Sequence, residues 1–147
     1  RDVAPEFDLS IRFKLLEGRG APFVMIPVGK QQAVIVFVGA WDGQTVGIDQ
    51  INERRGDENE TTARIPAIPA NQFVWLHVSL SEEDGKTRIK AALGNRNIID
   101  WTGPTESLSL YRKLYNAPEK ESINLLFPSD SSMVLSALNL SVSPGNN

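Results

Sequence analysis

Apolar positions along this chain recur mainly at every second residue. From Glu6 to Leu16, Phe7, Leu9, Ile11, Phe13 and Leu15 are apolar, while Asp8, Ser10, Arg12 and Lys14 fall between them. Alternation of this length predicts a strand with one buried and one wet face, because a helix would scatter those five side chains around its axis. Glu17-Gly18-Arg19-Gly20 reads as the turn that follows. Two short apolar runs, Pro22 to Val28 and Gln32 to Val38, flank Gly29-Lys30. They predict a hairpin of central strands covered on both faces, with Pro27 at a bulge or strand end.

Beyond Trp41-Asp42-Gly43 the pattern predicts a weaker strand from Thr45 to Ile51, a polar stretch from Asn52 to Glu60 and an extended, proline-containing edge from Thr61 to Ile68. Asn71 to Leu80 is a strong strand, with Val74, Leu76, Val78 and Leu80 on one side and Phe73, Trp75 and His77 on the other. Lys86 to Leu93 and Ile98 to Trp101 are two more strands, and Thr105 to Tyr115 suggests a helical turn with Leu108, Tyr111 and Tyr115 on one face. Ser122 to Phe127 and Met133 to Val142 close the chain, with Val134, Ser136, Leu138, Leu140 and Val142 at alternate positions. About ten strands separated by turn signals, with at most one short helix, predict an all-β fold: a two-sheet antiparallel jelly-roll sandwich. The like alternation of the first and last strands is expected to bring the two ends into one sheet.

Composition narrows the function more than the fold. A chain of 147 residues fits one domain, here residues 1–147, with 143–147 (Ser-Pro-Gly-Asn-Asn) as a flexible tail. The first residue is Arg1 and no signal-peptide pattern follows it, so the domain is expected to be excised from a longer protein with other domains as neighbours. A net charge of −3 gives no global attraction to nucleic acid or anionic lipid, and no membrane insertion is expected. With no cysteine and a single histidine, thiol chemistry and thiolate zinc sites are excluded, and any histidine-dependent mechanism would rest on His77. The favoured compartments are exported, periplasmic or cell-surface ones.

The middle of the chain also carries a family likeness. Asn71-Gln72-Phe73-Val74-Trp75-Leu76-His77-Val78 precedes a turn at Gly85-Lys86, then Arg88 to Asn95, then Ile98-Ile99-Asp100-Trp101-Thr102-Gly103. This order resembles concanavalin A-like lectin/glucanase domains, and within them the 3-keto-disaccharide hydrolase-like domain of bacteria and a related planctomycete module. The resemblance implies a jelly roll and a carbohydrate ligand. It transfers no catalytic residue, because its matching positions are strand and turn residues.

The candidate chemistry is correspondingly thin. The glucanases of that group resemble one another in a Glu-x-Asp-x-Glu strand, for which the nearest string here is Gly47-Ile48-Asp49-Gln50-Ile51-Asn52-Glu53. Asp49 and Glu53 would lie about 13 Å apart on an unbroken strand, too far for the paired carboxyls of glycoside hydrolysis, which stand about 5–9.5 Å apart. Asp57, Glu58 and Asn59 are weak calcium candidates without the regular spacing of a calcium loop. Arg55-Gly56-Asp57 spells an integrin tripeptide, and Asn59-Glu60-Thr61 and Asn139-Leu140-Ser141 spell glycosylation acceptors; all three are common by chance. Trp75 and Trp101, within strands, read as packing residues, and His77 as packed or half-exposed. Trp41, at a turn, reads as a stacking platform for a sugar ring, with Asp42, Gln44, Asp49, Asn52, Glu53 and Arg54 as its hydrogen-bonding neighbours. The expectation is a non-catalytic carbohydrate-binding module without a cofactor. The alternatives are a glycoside or 3-keto-disaccharide hydrolase and a protein–protein scaffolding domain.

Overall fold

The structure is a computed structural model that describes residues 6–29, 32–111, 115 and 122–143. Its strands form two antiparallel sheets packed as a sandwich. Sheet A contains β1 (Glu6–Glu17), β6 (Phe73–Glu83), β7 (Lys86–Leu93), β8 (Arg96–Pro104) and β10 (Ser132–Ser143), in the order β10-β1-β6-β7-β8. Sheet B contains β2 (Phe23–Val28), β3 (Gln32–Ala40), β4 (Thr45–Asp49), β5 (Ala63–Arg64) and β9 (Asn124–Leu126), in the order β5-β4-β3-β2-β9. The expected all-β, two-sheet antiparallel architecture is the observed one.

The alternation seen in sequence sets the sidedness of sheet A. Leu9, Ile11, Phe13 and Leu15 of β1 point inward with Leu76, Val78 and Leu80 of β6, Ile89 and Ala91 of β7, and Ile99 and Trp101 of β8. They meet Val24, Ile26, Val28, Val34, Val36, Val38, Val46 and Ile48 of sheet B. Burial of these side chains, at roughly 25 cal/mol per Å² of apolar surface, drives the association of the layers. The continuous apolar runs of sheet B have a different cause. Met25, Ala33, Ile35 and Phe37 form a second cluster with Ala40 and Leu110, against which Phe23, Tyr115 and Leu126 pack. Both faces of β3 are therefore covered.

Three local expectations sharpen. Pro27 takes the strand-end alternative, one residue before β2 ends: it pairs with Ala33 on one side, and β9 flanks β2 only from Phe23 to Met25. Among the described residues no second strand flanks it there, so its missing N–H interrupts no ladder. The expected helical turn is a 3₁₀ turn over Thr105–Ser107, with a further i→i+4 bond from the Tyr115 N–H to the Tyr111 carbonyl, but Leu108 lies outside it, bridging Ile51 and fully buried. Part of that segment, Lys30 of the hairpin and residues 144–147 of the tail lie outside the described residues, while Ser143 belongs to β10.

The third change concerns β10. It pairs with β1 from Glu6↔Ser143 to Glu17↔Ser132, so the two ends do share a sheet. The register slips at Ser136, between the pairs Arg12↔Ala137 and Phe13↔Leu135. A one-residue bulge switches the side to which later residues point. Val134, opposite Lys14, therefore faces outward, whereas Leu138, Leu140 and Val142, opposite Ile11, Leu9 and Phe7, face inward. The apparent single face from Val134 to Val142 is two faces. Nor is the inward one covered: Leu138, Leu140 and Val142 remain 55%, 51% and 49% exposed.

Candidate functional site

The outer face of sheet A is built from the polar half of the β1 alternation and its partners. Cross-strand register aligns Ser10, His77, Ala92 and Asn97 in one row and Asp8, Ser79, Lys90 and Asp100 in the next. Ala92 is short, so the first row dips between His77 and Asn97. The result is a shallow depression of about 230 Å³ lined by Asp8, Ser10, His77, Ser79, Lys90 and Asn97. Ser10 Oγ and His77 Nδ1 share a hydrogen bond of 2.8 Å. Trp75 stands two residues before His77 on the same face, and the two rings stack with centroids 5.8 Å apart and planes 6° from parallel. Beyond Trp75, the guanidinium of Arg12 lies 3.9 Å from the centre of the Phe73 ring, and the Lys14 ammonium 4.9 Å from it. Arg12 also donates to Ser136 Oγ at 2.9 Å.

A half-buried indole stacked on an exposed imidazole, beside hydroxyl, amide, carboxylate and ammonium groups, can stack an apolar ring face and hydrogen-bond the substituents at its edge. Asp8 is the one carboxylate among the lining residues, whereas glycoside hydrolysis of the common type works with two. Ser10 and His77 have the reach of a nucleophile and base. Among the described residues, however, no hydrogen bond orients the other imidazole nitrogen, as the third member of a triad would.

The turn around Trp41 has a different character. Trp41 adopts a left-handed backbone conformation (φ 54°) and is 38% exposed. Its ring packs on Phe37 with centroids 5.1 Å apart, so one face is already occupied. Asp42 accepts bonds from the Gln44 N–H, the Thr45 hydroxyl and Arg64. Those bonds, led by the Gln44 N–H, hold its carboxyl at about 2. The Gln44 side chain in turn accepts from Arg64. Asp49 is 1% exposed and lies on the outer side of β4, opposite Ile35, with its carboxyl accepting the Gly56 N–H at 2.7 Å. Burial pushes its pKa up, and the Gly56 N–H and Arg55 oppose that rise. Asn52, Glu53 and Arg54 are exposed on a turn in which Asn52 and Glu53 have positive φ. The expected ligand group is therefore not assembled as one site. Asp49 is beneath the surface, Asp42 and Gln44 are spent on Arg64 and the local backbone, and only Trp41, Asn52, Glu53 and Arg54 remain open.

The calcium candidates separate in the same manner. Asn59 is a loop organiser: its amide donates to the carbonyls of Ile48, Arg54 and Arg55, and its oxygen accepts from Thr61. These bonds remove it as a metal ligand and bury the nitrogen that glycosylation would need. Among the described residues, Asp57 and Glu58 join no cluster of three metal-ligating side chains. Gly56, the centre of the integrin tripeptide, is buried beneath Trp41 and against Gly47. Trp101 is 7% exposed and donates its ring N–H to Glu60 at 3.0 Å, as a packing residue should. Trp75 is half-buried and packs on His77, on the strand face that the alternation gave it.

No family model matches the chain, and no curated protein resembles it. Among solved structures it is similar to a protein of unknown function from Saccharomyces cerevisiae, at 13% identity and a TM-score of 0.48. That likeness covers 97% of this chain and 73% of the yeast one. Among the described residues, no helix is long and apolar enough to cross a membrane.

Proposed function

We propose that this protein is a non-catalytic carbohydrate-binding module whose ligand lies across the outer face of sheet A. The observation that carries the reading is the half-buried Trp75 ring stacked on the exposed His77, which lines the depression with Ser10, Lys90 and Asn97. A pyranose ring would stack on the indole, and its hydroxyls would meet Asp8, Ser10, Lys90 and Asn97. The strands that hold these groups are locked by the core beneath, so the platform is formed before the ligand arrives, which lowers the ordering cost of binding. A single lining carboxylate favours binding over hydrolysis.

The test is equilibrium titration of the protein with soluble gluco-, xylo- and manno-oligosaccharides. At least one of these should bind, with Trp75→Ala weakening it by about tenfold or more, a loss of about 1.4 kcal/mol, at an unchanged unfolding midpoint. Trp41→Ala should retain the affinity. Absence of binding to every oligosaccharide, or binding indifferent to Trp75→Ala, would refute the proposal.

A further inference from the structure

Each sheet of an open sandwich has two edges, and natural edges are blunted by shortness, charge or proline. Three of the four edges here follow that rule. In sheet B, β5 is two residues long and β9 three. In sheet A, β8 carries Arg96 and Asp100 and ends at Pro104. The fourth edge is β10, twelve residues with no charge, no proline and no glycine. Its backbone pairs with β1 on one side and, among the described residues, with no strand on the other. Its inward side chains, Leu138, Leu140 and Val142, are about half exposed, although Leu9 and Ile11 opposite them are 5% and 0% exposed. Apolar face and open backbone therefore coincide on the same strand.

We propose that β10 is the seam of a homodimer, in which two copies pair this strand antiparallel about a two-fold axis through Asn139 and join their A sheets into one. The strand is complementary to itself. Beyond the bulge at Ser136 it runs straight, and the two-fold places Leu138 of one copy opposite Leu140 of the other. Ala137 then meets Ser141, and Ser136 meets Val142. Such an isologous contact buries the same aliphatic overhang on both sides and satisfies both free edges. A second copy also fits the electrostatics. On a chain of net charge −3, this uncharged strand is where like-charged molecules can approach without opposing charges at the contact.

The experiment uses the 147-residue chain in light scattering and sedimentation over a micromolar dilution series. A concentration-dependent dimer is expected. Asn139→Lys sets two ammonium groups opposite each other and should weaken the dimer at least ~10-fold, with circular dichroism and unfolding midpoint retained. Because the chain has no cysteine, Asn139→Cys adds a single thiol at the axis. Mild oxidation of that variant should give a disulfide-linked dimer, since directly opposed residues lie within bridging distance. A monomer at all concentrations would overturn the proposal. So would a dimer indifferent to Asn139→Lys, or one whose Asn139→Cys variant forms no cross-link.

Discussion

On the outside of sheet A, the half-buried Trp75 stacks on the exposed His77, with the exposed Lys90 one row away. On the outside of sheet B, Met25, Ile35 and Phe37 lie beneath Leu110, Tyr115 and Trp41. Aromatic residues occur on both faces, and only their surroundings differ. Over sheet B the aromatic rings fill space between a strand layer and a covering segment, so their energy goes into stability. Over sheet A the half-buried Trp75 ring stacks on the exposed His77 imidazole, the pair on which the proposed binding rests.

Substitutions should divide along this line. The largest effect belongs to the covered face. Phe37→Ala removes a ring packed on Phe23, Trp41 and Tyr115 and should destabilise by about 3–5 kcal/mol, read as a lowered denaturant midpoint with a constant m-value. Gly47→Ala follows, because its Cβ would overlap the Gly56 carbonyl; a loss of about 1–3 kcal/mol is expected from such overpacking.

Asp49 supplies the third test, through pH. Its native pKa lies above the ordinary 3.8 because of burial, so the folded state holds the proton more tightly than the unfolded chain does. Its contribution to stability is then most favourable at acid pH and declines as pH rises from about 4 through the raised value. Asp49→Asn keeps an oxygen for the Gly56 N–H but carries no charge, and should flatten this slope in thermal melts. Asp42 acts in the opposite sense: lowered to about 2, it stabilises the fold above its unfolded pKa and loses that effect as pH falls toward 2. On the open face the expected stability changes are smallest. Breaking the exposed Arg88–Asp100 pair by Arg88→Ala should leave the melting temperature within error.

Much of the fold was legible because β1 and β6 each have one wet face, which makes burial readable from alternation alone. The wholly buried β4 appeared weaker than it is, since Thr45, Gly47 and Asp49 interrupt its apolar run. Those residues are small, or satisfied by Asp42 and Gly56, which is a tertiary circumstance. The bulge at Ser136 was invisible for a related reason: a slip of register changes which residues face inward without changing their identity. The site was half legible. The same alternation that made Trp75 seem a packing residue also put it beside His77 on the solvent side, while the row Ser10–His77–Ala92–Asn97 is assembled from four strands and has no local trace. The Trp41 turn was misleading because its polar neighbours find one another first.

The order of strands in sheet A has a temporal consequence. β1 comes first along the chain, yet its two neighbours are β6 and β10, so it has no partner until β6, which opens at Phe73 near the middle of the chain. Sheet B can close its β2–β3–β4 meander from adjacent segments, whereas β1 must wait. A nascent polypeptide would therefore emerge with its most regularly alternating segment unsheltered, and completion of sheet A depends on the longest loop closure in the molecule. Each layer thus has a meander of adjacent strands, β6–β7–β8 or β2–β3–β4, and a long-range pairing that completes it late, and the longest wait is that of β1 for β10.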